Sequence, residues 1–405
     1  MRNFILFMKM LLCLVLLFII PSILKAQNIT YIDLVQAKSE KINSEKIFKD
    51  FELVPLETHE DALLNIKTAT YYLTDKYIIA VSFLKGAYIF DRKTGKFIRE
   101  VSSFGQGPNE YTGWIYNRYG FDERYNILYA SDGANMGGVW KCINIETNKI
   151  ESTIKKPLPK DESDFFSAYA PWRIKDNTYV SFCNNRTGKD RIKLVVFNKD
   201  GKVFNKFMNH LEYKKEISYS NPSNNGIFYY YKELTYFKEW NYNDTVFCVT
   251  ENDLSPHIIF KLGNKQASYY HQDNADYNRG KYLINFVYES DGFVFFNFLY
   301  NPKNKDVANP NTYQEESVYV GYYDKTNKQA YISITSDYEN PGYTINGIPD
   351  SFYPISINSN NEMIAKIHPE KLMRYKNKID PKYKYLFEKM QEDDNPIIII
   401  AKLKK

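Results

Sequence analysis

The hydrophobic and polar positions of this chain fall into one recurring phrase: an apolar strand, a tight polar turn, a second apolar strand. It runs from Tyr88 to Ile98 around Lys93-Thr94-Gly95, from Trp140 to Ile150 around Glu146-Thr147-Asn148, and from Val195 to Phe204 around Asn198-Lys199-Asp200-Gly201. It returns from Val246 to Ile258 around Glu251-Asn252-Asp253 and from Val318 to Ile332 around Asp324-Lys325-Thr326-Asn327. Alternation within each arm predicts strands, and the Asn, Asp and Gly clusters predict turns. The turn centres recur at roughly 50 residues, with one wider gap, which is the spacing of four-stranded propeller blades.

Walking the repeat predicts an all-β, six-bladed β-propeller of four-stranded antiparallel blades. The blades cover about 66–101, 116–154, 168–207, 226–262, 282–334 and 353–405. The polar stretch Asn301 to Glu316 reads as a long exposed loop within blade five and explains the wide gap. In blade six a short helical insertion follows Met363-Ile364-Ala365. Pro369 suits a helix's first turn, and Asp380-Pro381 reads as an N-cap followed by a first-position proline. The insertion leaves blade six one strand short, while Phe51 to Leu56 lies unused before blade one. A ring left open would expose sheet edges, so this N-terminal strand is expected to pair with the C-terminal strand Pro396 to Leu403. Pro55 cannot donate to a ladder, which suits an outer edge.

The first 26 residues form a different pattern. Arg2 and Lys9 precede an apolar run from Met10 to Ile20, Pro21 breaks it, and Leu24-Lys25-Ala26 offers a cleavage site. This is the pattern of a secretory signal peptide, with residues 27–405 as a single mature domain. About a dozen apolar residues are too few to span a bilayer, so no transmembrane anchor is expected in the mature chain. Cys13 lies inside the apolar run and follows Leu12, which does not fit a lipid-attachment site. Export to the periplasm or the cell surface follows.

Cleavage would remove Arg2, Lys9 and Lys25, taking 53 basic residues to 50 against 48 acidic ones, a formal charge of +2. That balance is no nucleic-acid footprint. Three cysteines would remain, Cys142, Cys183 and Cys248, each among apolar strand residues and expected as buried, inert thiols. Aromatics are 17% of the chain, with 36 Tyr and 27 Phe, and most fall inside strand patterns.

Three segments in order carry a family resemblance: Val54-Pro55-Leu56-Glu57, then Phe104-Gly105-Gln106-Gly107-Pro108-Asn109-Glu110-Tyr111, then Asp393-Asp394-Asn395-Pro396-Ile397. Together they resemble an exported bacterial six-bladed β-propeller family, and the second segment is similar to the linker of NHL-repeat propellers. Asn109 stands where that family usually has Gly, and Asn also tolerates a left-handed turn. The resemblance implies the fold and adds little about activity.

Chemistry is sparse. No Gly-x-Ser-x-Gly elbow, His-Glu-x-x-His or CxxC spacing occurs. His59, His210, His257, His271 and His368 are scattered, and the looser grouping of His271, Asp273 and Asp276 reads as a solvated crossover. No metal or cofactor is expected. Glu110 either serves its own turn or faces a ligand. If the inner strands begin at one channel mouth, Trp114, Arg118, Trp172, Arg173, Tyr230 and Tyr353 concentrate there with Glu110. Trp, Arg and Tyr carry binding energy at interfaces. The expectation is therefore a monomeric binding or scaffold propeller of the cell envelope, with a glycan, peptide or envelope protein as partner. The alternative is a channel-centred, metal-dependent lyase or hydrolase.

Overall fold

A computed structural model describes residues 29–404 except 66–68, 83–85, 104, 106, 108–109, 111–118, 134–136, 161–165, 167, 216–225, 301–317, 335–341 and 389. The segment read as a signal peptide, Trp114, Arg118 and the stretch read as a polar loop in blade five lie outside the described residues.

Six antiparallel blades form a closed ring. Blade one comprises Thr70–Leu73, Tyr77–Ser82, Gly86–Asp91 and Phe97–Ser103. Blade two comprises Tyr119–Asp122, Ile127–Asp132, Val139–Asn144 and Lys149–Lys155. Blade three comprises Trp172–Lys175, Thr178–Phe182, Ile192–Phe197 and Val203–Met208. Blade four comprises Gly226–Tyr231, Leu234–Glu239, Thr245–Val249 and Leu254–Lys261. Blade five comprises Leu283–Glu289, Phe293–Leu299, Val318–Asp324 and Gln329–Ser333. Blade six comprises Ser356–Ile357, Glu362–Ile367, Ile397–Leu403 and, from the N-terminal region, Phe48–Pro55.

The N- and C-terminal strands close the ring as expected. Ile398 pairs with Val54, Ile400 with Glu52 and Leu403 with Phe48. Each blade is packed on both faces, so its central strands are apolar at consecutive positions. Ile78 and Ala80 pack with Ile364, Ile398 and Ile400 of blade six, whereas Ile79 and Val81 pack with Phe121 and Leu128 of blade two. Ile397 and Ile399 turn the other way, toward Phe295 and Tyr288 of blade five. The period-two strand thus feeds two interfaces at once.

Two further strands precede the closing one. Thr30–Asp33 adds parallel to Leu254–Lys261, and Lys38–Glu40 adds parallel to Gln329–Ser333, so blades four and five carry a fifth strand. The N-terminal segment therefore passes along the outer edges of blades four, five and six in turn.

Two inner strands begin later than the pattern suggested. Blade three starts at Trp172, with Ala168 making only an isolated bridge to Cys183, and Pro171 intervenes without an N–H to offer. Blade six starts at Ser356, after Pro354, while Ser351–Phe352 pairs with Tyr343–Thr344. The helical insertion of blade six is the helix Pro369–Arg374 followed by 3-10 turns. Leu372 roots it in the core, and the Asp380 carboxylate accepts from the Lys382 N–H at 2.9 Å. Cys142, Cys183 and Cys248 are buried and belong to no disulfide.

Candidate functional site

The turns joining inner to second strands, together with those joining third to outer strands, share one face of the ring. Ion pairs cross between neighbouring blades there. Lys76 meets Glu146 at 3.3 Å, Arg173 meets Asp122 at 3.2 Å, and Lys232 meets Asp291 at 3.3 Å. Lys175 pairs with Glu251, and Arg92 holds Glu362 through two hydrogen bonds of 2.8 and 2.7 Å.

On this face Asp122 ends the inner strand of blade two with its carboxylate buried. It lies between Arg173 Nε at 3.2 Å and Arg124 Nε at 3.5 Å and accepts from the Tyr129 hydroxyl at 3.4 Å. Burial raises the Asp122 pKa, and the two guanidinium groups work against that rise. Arg124, from the following turn, spans three blades. Its Nη2 donates to the Arg173 carbonyl at 2.8 Å and to the Tyr230 hydroxyl at 2.7 Å, and its guanidinium carbon lies 3.7 Å from the centre of the Tyr230 ring. Tyr230 in turn donates to the Arg173 carbonyl at 2.7 Å. The Arg173 guanidinium covers the Tyr125 ring at 4.0 Å, and the Tyr125 hydroxyl donates to Asp176 at 3.1 Å. Trp172 packs its ring 4.5 Å from Tyr230 and 5.9 Å from Phe228. Its indole N–H is buried without a hydrogen-bond partner.

Glu123 stands between these residues and blades one and six. Its carboxylate accepts from the backbone of Ser359 in blade six, and Asp75 of blade one lies within electrostatic reach. Burial is the main cause that pushes its pKa up to about 7. A carboxyl of that pKa exchanges a proton near neutral pH. This face thus brings together two guanidinium–tyrosine stacks, an adjacent indole and the Glu123 carboxyl.

A family model described as a domain of unknown function, DUF4934, matches residues 29–402. The chain belongs to that family.

This DUF4934 protein has no match among curated proteins. Among solved structures it is similar to a Bacteroides fragilis protein named as exported: TM-score 0.66, 17% identity, covering 93% of this chain and all of that one. It is also similar to a member of the DUF4221 family from Bacteroides vulgatus: TM-score 0.56, 9% identity, covering 88% of this chain and 97% of that one. At these identities the likeness shows the propeller fold alone. An oligogalacturonate lyase in complex with manganese aligns at TM-score 0.37 and carries no argument.

Of the residues singled out from the sequence, the DUF4934 fold brings together Trp172, Arg173 and Tyr230. They meet where inner strands end, not where they begin. Blade three's inner strand has four residues, so Trp172, its first, is already near the far turn. Glu110 lies at the opposite end, in the crossover from blade one to blade two. Its carboxylate folds back to accept the Gly107 N–H at 2.6 Å, and Lys141 donates to its carbonyl. A Cβ on Gly105 would stand 2.1 Å from that carboxylate, so a larger residue there would displace the Glu110 side chain from this turn. Tyr353 also lies apart, against the cores around blades five and six. Asp122, Glu123 and Arg124 were legible only as turn punctuation. The one signal in them is a charged triplet placed directly after the buried Phe121. Among the described residues no group of three His, Cys, Asp or Glu side chains could hold a metal ion, and none of their helices is long and apolar enough to cross a membrane.

Proposed function

We infer that this protein is an exported binding or scaffold propeller of the cell envelope, holding a glycan or peptide partner at the mouth formed by Arg124, Tyr125, Trp172, Arg173 and Tyr230. The observation that carries this reading is Arg124. Its side chain is partly exposed, joins blades two, three and four, and is held flat on Tyr230. A partly exposed Arg fixed on an aromatic ring loses little further freedom when a partner arrives, which favours binding. Export is supported by the basic start, the short apolar run and Ala26. The resemblance of Gly105 to Tyr111 to the NHL-type linker supports kinship with those propellers in fold. A periplasmic or surface-exposed location suits either partner class.

Screening purified mature protein on glycan and peptide arrays, then repeating with Arg124→Ala, tests this. Loss of roughly 1–3 kcal/mol of binding with the melting transition unchanged is expected. A partner that binds Arg124→Ala as tightly as the parent would refute the site. N-terminal sequencing of the protein from an envelope fraction tests export, with Gln27 the expected first residue.

A further inference from the structure

The opposite end of the ring holds a second concentration of polar groups, between blades three, four and five. Four segments are tied together there: the blade-three loop with Asn184 and Asn185, the blade-four loop from Glu239 to Asn243, the crossover carrying Tyr269 to Asn278, and the start of blade five's inner strand. Glu239 is fully buried, paired with Lys193 and accepting from Asn243 Nδ2 at 3.0 Å and the Tyr269 hydroxyl at 3.1 Å. The buried Lys238 ammonium is spent on backbone carbonyls, among them Asn243 at 2.6 Å and Ile284 at 3.2 Å. The Tyr242 hydroxyl donates to the Gln272 carbonyl at 3.1 Å, and the Asn241 N–H to the Ile284 carbonyl at 2.7 Å. The charges of this region are thus satisfied internally.

Its neutral groups are not. Gln272 is 2% exposed, yet neither its amide oxygen nor its amide nitrogen has a hydrogen-bond partner. Asn285 Oδ1, Asn184 Oδ1 and Trp240 Nε1 are likewise buried without one. Burying such groups forfeits their hydration with no return, so native proteins rarely leave several together. The open set contains both donors and acceptors. A phosphate or carboxylate only accepts and an ammonium only donates, so neither complements it. Hydroxyl groups do both. Aromatic surface adjoins the same crossover: His271 stacks on Tyr277 at 3.8 Å, Tyr270 stands edge-on to His271 at 4.9 Å, and Tyr270 and Tyr277 are 52% and 54% exposed. Trp240 meets Phe286 at 4.9 Å.

We propose that this end of the ring is a separate binding site for a small neutral saccharide, recognised by the amides of Gln272, Asn285 and Asn184 and by the rings of Trp240 and Tyr277. Neutrality follows from the internally paired charges, and a sugar from hydroxyls that donate and accept on a body whose C–H faces suit aromatic rings. The site is independent of Arg124 and its neighbours.

Calorimetric titration of the mature protein with glucose, galactose, mannose, N-acetylglucosamine and their disaccharides tests this, with glucuronate and glucosamine as charged comparators. At least one neutral sugar should bind and outcompete both charged ones. Gln272→Leu should weaken it at least tenfold and Tyr277→Ala several-fold, while Arg124→Ala leaves it unchanged. Tyr277 is exposed, so its variant keeps the test open if Gln272→Leu fails to fold. The proposal is overturned if no neutral sugar binds, if a charged sugar is preferred, or if both variants bind as the parent does. A Gln272→Leu variant that is more stable and binds equally well would mark the orphan amide as a burden without a ligand.

Discussion

Phe48→Ala probes ring closure at a single side chain. Phe48 is 2% exposed and lies 403 − 48 = 355 residues in sequence from its strand partner Leu403. Its ring meets Phe352 at 5.2 Å, Phe51 at 5.4 Å, Tyr343 at 6.0 Å and Phe295 at 6.2 Å. Truncating a buried Phe costs roughly 3–5 kcal/mol through lost transfer energy and the cavity left behind. The three edge-to-face contacts place this site toward the upper part of that range, since such pairs add about 0.5–1.5 kcal/mol beyond area. A loss of about 4 kcal/mol is a large share of the roughly 5–15 kcal/mol that holds a typical protein folded. Urea unfolding followed by tryptophan emission measures it well, because Trp140 and Trp172 belong to blades two and three and Trp240 directly follows a strand of blade four. If closure holds the ring as one unit, the midpoint reported from those distant blades falls with the slope unchanged. A loss below about 1 kcal/mol on that same measurement, or a tryptophan transition that does not move, would refute the closure argument.

Three other outcomes follow. Glu123 keeps its proton in the folded chain up to about pH 7 but gives it up near 4.5 when unfolded, so its contribution to stability is present at low pH and lost as pH rises through that window. Glu123→Gln should therefore flatten stability between those pH values and gain about 1–3 kcal/mol at pH 8, allowing for partial exposure; an unchanged pH profile by thermal melts would contradict the assignment. Arg92→Ala should cost roughly 3–5 kcal/mol by leaving the buried Glu362 unpaired, whereas Arg92→Met with Glu362→Leu should recover most of it in the same denaturation assay. Native protein should resist iodoacetamide at Cys142, Cys183 and Cys248, since burial raises the pKa of Cys142 and Cys183, and all three should label on unfolding; mass spectrometry reads both states.

Local chemistry made most of the blades legible. Asp91 accepts from the Lys93 and Thr94 N–H groups, Asp324 accepts from those of Thr326 and Asn327, and Gly95 sits at φ 70°, so these turns are written in the residues that form them. Closure was legible by counting strands, because a propeller leaves no unpaired strand at both ends. The parallel strands Thr30–Asp33 and Lys38–Glu40 were not, since partners more than 200 residues away leave no local periodicity to read. Nor was the mouth. Trp172, Arg173 and Tyr230 could be picked out by residue type, but Trp172 and Arg173 reach the end of the ring where Tyr230 lies only because blade three's inner strand starts late, after Pro171. Asp122, Glu123 and Arg124 look like any charged turn until the ring closes. The sequence by itself determined strands, turns and the blade count, because these depend on alternation and turn geometry within a few residues. Only the tertiary structure decided which charged side chains are buried, which blades share them and where they meet, because burial and electrostatic pairing arise between segments that the chain keeps far apart.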